Sequence, residues 1–199
     1  VRVFGFGFFL ALALVLVSRI PFFAALHRLH MLVFLVLVPL AFIKFSGRRL
    51  SDYNIGLGDV GLGLKYSAVL LLFALPFMYY GSTLPEFRGY YPLWDSERDS
   101  FTSFLYYEVF VMGVVMFYTE FFYRGFLLRS LVDETRYGNL VQSLIYMYVH
   151  LGKPGLEVWW SLPAGFVFGE VDLKCKSILP SFLMHWLSSM LFNAMILYL

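Results

Sequence analysis

The chain has 199 residues, of which 60% are hydrophobic and only 14% charged, with a net charge of +2. Soluble domains carry about 25% charged residues, so this composition excludes an ordinary soluble domain and points to a polytopic membrane protein. No basic cluster interleaved with aromatics is present, which leaves no footing for nucleic acid, and the single cysteine, Cys175, excludes an intrachain disulfide framework.

The first apolar segment covers residues 3–18. Arg2 ahead of it gives a signal-peptide look, but no small-x-small cleavage pattern precedes Arg19 and more spans follow. It therefore reads as a retained first helix. A turn with Pro21, His27, Arg28 and His30 leads to a second helix over 29–43. The connector 44–63 is rich in Gly and Asp, and reads as a loop or short interfacial structure. A third span covers 64–80. The loop 81–100 ends in Trp-Asp-Ser-Glu-Arg-Asp-Ser, where Asp95 or Ser96 is the expected cap of the next helix.

The fourth helix is the longest, over 101–132. A fifth, over 139–150, is short against the roughly 20 residues a span needs, and is expected to lie partly buried among the others. The sixth covers 156–173, after a Gly-Lys-Pro-Gly break. The seventh begins at Ser177 or Pro180 and runs to Leu199, with Pro180 tolerated in the first turn. The expected fold is thus an all-α, polytopic transmembrane bundle of about seven membrane helices. It forms one domain over 1–199, with N-terminal helices and loops over 1–100 and a polar core over 101–199. Lys and Arg counted by side place the N-terminus in the cytoplasm.

Four ionisable side chains interrupt apolar stretches: Glu120, Arg124, His150 and His185. A charge at the bilayer centre costs at least about 2.5–3.5 kcal/mol, so such groups face a protein interior or a water-filled cavity. Glu120 and Arg124 stand at i and i+4 and share a helix face, where they can form a structural ion pair. His150 follows Tyr146 by one turn and can equally cap a helix end. His185 has Ser189 one turn on and Asn193 two turns on; its plain alternative is a bond to a neighbouring helix. A carboxylate and two imidazoles are also the parts of acid–base hydrolysis. No His-Glu-x-x-His is present and no two histidines share a helical face, so no metal and no cofactor are expected. No serine sits in a Gly-x-Ser-x-Gly turn, which argues against serine catalysis.

In order, the chain carries Glu120-x-x-x-Arg124-Gly125, Tyr146-x-x-x-His150 and the stretch GFVFGEVDLKCKSILPSFLMHW ending near His185. This set resembles the CAAX-prenyl protease type II and bacteriocin-processing family, also called Abi or glutamic-type intramembrane proteases, over about residues 118–199. The family pattern is Glu-Glu-x-x-x-Arg, Phe-x-x-x-His and His-x-x-x-Asn. The resemblance implies an all-helical bundle that cuts peptide bonds within or beside the membrane. By it, Glu120 and His150 activate water, His185 stabilises the oxyanion with help from Ser189, and Arg124 orients the glutamate helix. Asn193 is an alternative oxyanion donor, and Tyr146 packs beside His150.

This sequence departs from the pattern at three places. The first glutamate is Thr119, whose hydroxyl does not ionise near neutral pH. The phenylalanine is Tyr146, and the asparagine is Ser189. Glu157, in HLGKPGLE, is an alternative carboxylate; its plainer role is a first-turn glutamate complementing the helix dipole. Glu170 and Asp172 read as interfacial charges at a helix end. The resulting expectation is a divergent bacterial-type intramembrane endopeptidase of the inner membrane. Its partners are membrane lipid and a membrane-associated protein or peptide substrate. The rival reading is a non-catalytic relative acting as a membrane binding, immunity or chaperone-like protein.

Overall fold

The computed structural model describes residues 3–18, 29 and 31–199; Pro21, His27, Arg28 and His30 lie outside the described residues. The architecture is all-helical: α1 (Val3–Ser18), α2 (Met31–Phe45), α3 (Val60–Ser82), α4 (Pro85–Tyr90), α5 (Phe101–Val132), α6 (Gly138–Val149), α7 (Gly155–Cys175) and α8 (Leu179–Tyr198). Short 3-10 turns at Leu50–Tyr53 and Asp95–Arg98 punctuate the loops. Among the described residues, α3 and α5 are the two helices both long and apolar enough to cross a membrane. The α7 and α8 helices have comparable length, at 21 and 20 residues, but carry more polar side chains.

One helix start and one helix cap differ from the sequence expectation for identifiable reasons. The α3 helix starts four residues earlier, at Val60 rather than residue 64, because Asp59 Oδ1 accepts from Leu62 N at 2.9 Å. That cap pulls the glycine-rich end of the connector into the helix. At Gly63 a side chain would meet Pro180, so the missing Cβ lets α3 lie close against α8. The cap of α5 is Ser100, whose Oγ accepts from Ser103 N at 3.1 Å. Asp95, and Ser96 after it, instead fold into their own 3-10 turn. The loop over 81–100 also contains α4, started by Pro85 in the position where its missing N–H costs nothing.

The principal core gathers Ala11 and Val15 of α1, Leu35 of α2, and Phe122, Phe126 and Leu127 of α5. In lipid such packing works through van der Waals contact rather than water exclusion. Two stretches of α5 are π-helical, Tyr107–Met112 and Phe121–Leu127. Such widened turns recur at functional sites. The second directly follows Glu120 and contains Arg124.

Asp172 corrects the expectation of an interfacial charge. It is fully buried and accepts from Ser181 N at 3.1 Å and Ser181 Oγ at 2.5 Å. It therefore caps the start of α8 from the preceding helix. Glu170 takes the side-chain amide of Asn139 at 2.9 Å, tying α7 to α6.

Candidate active site

Glu120 is wholly buried and uses both carboxylate oxygens. Its Oε1 accepts from His185 Nδ1 at 2.6 Å, while Oε2 lies 3.1 Å from Arg124 Nε. The second contact has ion-pair distance without hydrogen-bond alignment, so it is a Coulombic pairing. The same guanidinium sits 4.0 Å from the centre of the Tyr146 ring and 5.6 Å from that of Phe168. Cation–π contact is strongest where water is excluded, and Arg124 is 0% exposed.

Tyr146 connects this group to the second histidine. Its hydroxyl is 3.4 Å from His185 Nε2, and its ring centre is 4.4 Å from that of His150. His150, at the C-terminal end of α6, donates from Nδ1 to the Tyr146 carbonyl at 2.8 Å. A carbonyl only accepts, so Nδ1 carries the proton and Nε2 of the neutral ring presents a lone pair.

The carboxylate recorded beside that lone pair is Glu157, with Oε1 4.0 Å from His150 Nε2. Lys153 Nζ donates to Glu157 Oε1 at 2.7 Å, and the Tyr91 hydroxyl lies 2.8 Å from both Glu157 oxygens. Burial first, then the Glu157 charge, pushes the Tyr91 phenol well above its ordinary pKa, which keeps it a donor. The recorded pairings are Glu120 with His185 and Glu157 with His150, with Tyr146 between them.

The remaining candidates divide. Ser189 is half-buried, one turn beyond His185 on α8. Asn193 is taken up by Glu108, to whose Oε1 its Nδ2 donates at 2.5 Å. Thr119 turns its hydroxyl back to the Val115 carbonyl at 2.9 Å. Among the described residues no three of His, Cys, Asp and Glu gather as a metal-holding group.

Lys153 and Tyr91 were not singled out from sequence. The spacing of Lys153 to Glu157 is readable as an i,i+4 pair. Tyr91 comes from the loop after α4, and no local signal links it to Glu157.

Residues 101–191 match the family model described as type II CAAX prenyl endopeptidase Rce1-like. No curated protein and no solved structure matches the chain. The matched stretch is just under half of the chain and contains Glu120, Arg124, Tyr146, His150, Glu157 and His185. Over that stretch the chain is similar to the type II CAAX prenyl endopeptidase Rce1-like family, a family of membrane-embedded proteases.

Proposed function

We propose that this protein is an intramembrane endopeptidase that hydrolyses a peptide bond in a membrane-associated protein or peptide, with His150 and Glu157 activating the water. The observation that carries this reading is the 4.0 Å separation of His150 Nε2 and Glu157 Oε1. Both atoms accept hydrogen bonds, so one water can give a hydrogen to each and turn its lone pairs toward a carbonyl carbon.

In the first step the water oxygen bonds to the carbonyl carbon and its proton passes to His150 Nε2. Glu157, held by Lys153 and Tyr91, orients the water and stabilises the imidazolium that forms. The carbonyl oxygen becomes an oxyanion facing the Tyr146 hydroxyl and the Nε2 edge of His185, which lie 3.4 Å apart. Because Nδ1 already donates to Glu120, this role requires His185 as the doubly protonated imidazolium, whose Nε2–H donates to the oxyanion. Donors fixed before the charge develops need no reorganisation as it forms. Glu120 holds the other side of the His185 ring, and Arg124 holds Glu120. Collapse of the intermediate breaks the C–N bond, and His150 returns its proton to the leaving amine.

About seven membrane helices would enclose such a site, in a bacterial inner membrane with the N-terminus in the cytoplasm. A substrate segment would enter sideways between helices. The test compares peptide termini, by mass spectrometry, in membranes of cells expressing wild type or His150→Ala at matched levels. New termini that vanish with His150→Ala support proteolysis. Identical sets of termini would sink it.

A further inference from the structure

Away from the histidines, one buried contact joins two carboxyl groups. Glu97, in the turn Asp95–Arg98, is 1% exposed, and Glu108, in the first π-helical stretch of α5, is 0% exposed. Their side chains are hydrogen-bonded to each other. Ionised carboxylates only accept, so this bond exists only while one of the two carries a proton. From α8, Asn193 Nδ2 donates to Glu108 Oε1, and Trp186 Nε1 donates to the Glu108 carbonyl at 2.8 Å. The proton therefore sits where the turn, α5 and α8 meet.

Glu97 is the side chain that seats this turn in the bundle, since Asp95, Arg98 and Asp99 beside it are exposed. Besides those three, the titratable groups around it are Glu108 of α5 and Tyr198 of α8. Tyr198 and Arg98 line the same cavity of about 260 Å³ as Glu97, room enough for waters that exchange the proton. Burial first, then the charge and hydrogen bond of Glu108, push the Glu97 carboxyl up to about 8. A folded value above the unfolded one gives stability that is fully present below the ordinary carboxylate range and is lost as pH rises through about 8. The turn also reaches the histidine site. Arg98 Nη2 donates to the Tyr91 carbonyl at 2.8 Å, and the Tyr91 hydroxyl lies 2.8 Å from both oxygens of Glu157.

We propose that the proton shared by Glu97 and Glu108 is a latch that holds the turn Asp95–Arg98 against α5 and α8. Its loss frees the turn and slackens the grip of Tyr91 on Glu157. Without the proton two adjacent buried carboxylates are both charged, and like charges at that separation repel strongly. Glu108 is fixed in a helix and by Asn193, so Glu97, on its short turn, is the one that moves out to water. Arg98 follows it in the chain and carries the bond to Tyr91 with it. The effect on Glu157 rests on the peptidase reading above; the latch itself does not.

The test is hydrogen–deuterium exchange of the purified full chain in detergent, read by mass spectrometry over residues 91–100. It compares about pH 6 with about pH 9.5, either side of the Glu97 titration. Corrected for the intrinsic pH dependence of exchange, wild type should open this segment at least about tenfold more at the higher pH. Glu97→Gln, whose amide donates to Glu108 and cannot ionise, should keep it protected at both. Glu108→Gln, which removes the second charge, serves if that variant does not fold. Equal protection of wild type at both pH values, or opening of the variant like wild type, overturns the latch. His150-dependent cleavage followed in parallel should fall at the higher pH in wild type and persist in Glu97→Gln. Opening without that fall overturns the link to Glu157. Absence of His150-dependent cleavage at either pH overturns the peptidase reading, while the exchange data still decide the latch.

Discussion

Glu157 Oε1 stands 4.0 Å from His150 Nε2 although the two residues lie on different helices. The chain reverses between them at Gly152, whose φ of +99° is a conformation side-chain-bearing residues rarely adopt. Pro154 then stands as the cap of α7, and Glu157 falls in its first turn. A seven-residue excursion thereby returns a carboxylate to the histidine that ended the previous helix.

Glu157→Gln keeps the size of this side chain and removes its charge. Proteolysis should fall by about 10²–10⁴, the usual contribution of acid–base groups. Helicity and melting temperature should change little, because Lys153 and Glu157 are partly exposed, with side-chain exposures of 29% and 21%. Quantifying the His150-dependent termini in membranes from both variants checks it. Full activity in Glu157→Gln would return the carboxylate role to Glu120.

The Glu120–Arg124 pair predicts the opposite pattern. Both side chains have 0% exposure, so Arg124→Met strands a buried carboxylate. Breaking a buried pair this way costs about 3–5 kcal/mol. The double replacement Glu120→Gln with Arg124→Met should recover much of that loss while remaining inactive, since His185 loses its charged anchor. Thermal unfolding of the four proteins in detergent measures the coupling. A single variant as stable as wild type would contradict the pairing.

Helices with long, uniform apolar runs were legible in the sequence: α1 and α5 begin and end at the residues expected. The reason is that periodic burial and a membrane-length run are local properties. The pairing of Glu120 with His185 was not legible, because residues 65 positions apart meet only after α5 and α8 pack. Spacing alone put Glu120 and Arg124 on one face, which the 3.1 Å contact agrees with. It placed Asp172 at an interface because a carboxylate near a helix end is ordinarily solvated. The Ser181 bonds that keep it buried come from the next helix. Tyr91 lies before the family-matched stretch, so neither motif nor spacing pointed to it.

Asp172 and Ser181 join α7 to α8 and should couple measurably. Asp172→Ala leaves the Ser181 backbone N–H buried and unpaired, costing about 1–3 kcal/mol. Ser181→Ala removes only the hydroxyl and should cost about 1 kcal/mol, near the mean for one hydrogen bond. A double-mutant cycle read by melting in detergent should give a coupling above about 0.5 kcal/mol. Strictly additive losses would mean that Asp172 does not act through the Ser181 hydroxyl.

Gly165 is where helix packing touches the chemistry. A Cβ built there would stand 3.2 Å from Cδ1 of Tyr146 and 3.5 Å from Ser143. Tyr146 cannot yield freely, since Arg124 lies 4.0 Å from its ring centre and the His150 ring centre is 4.4 Å away. Gly165→Ala should therefore shift the Tyr146 hydroxyl relative to His185 and lower proteolysis about tenfold or more, since small misplacements of positioned groups are costly. Alanine's better helix propensity, worth about 1 kcal/mol, offsets much of the strain in overall stability. Loss of cleavage with a nearly unchanged melting temperature is the expected signature. Equal losses of both would mean that Gly165 serves packing alone, and undiminished cleavage would remove Tyr146 from the oxyanion site.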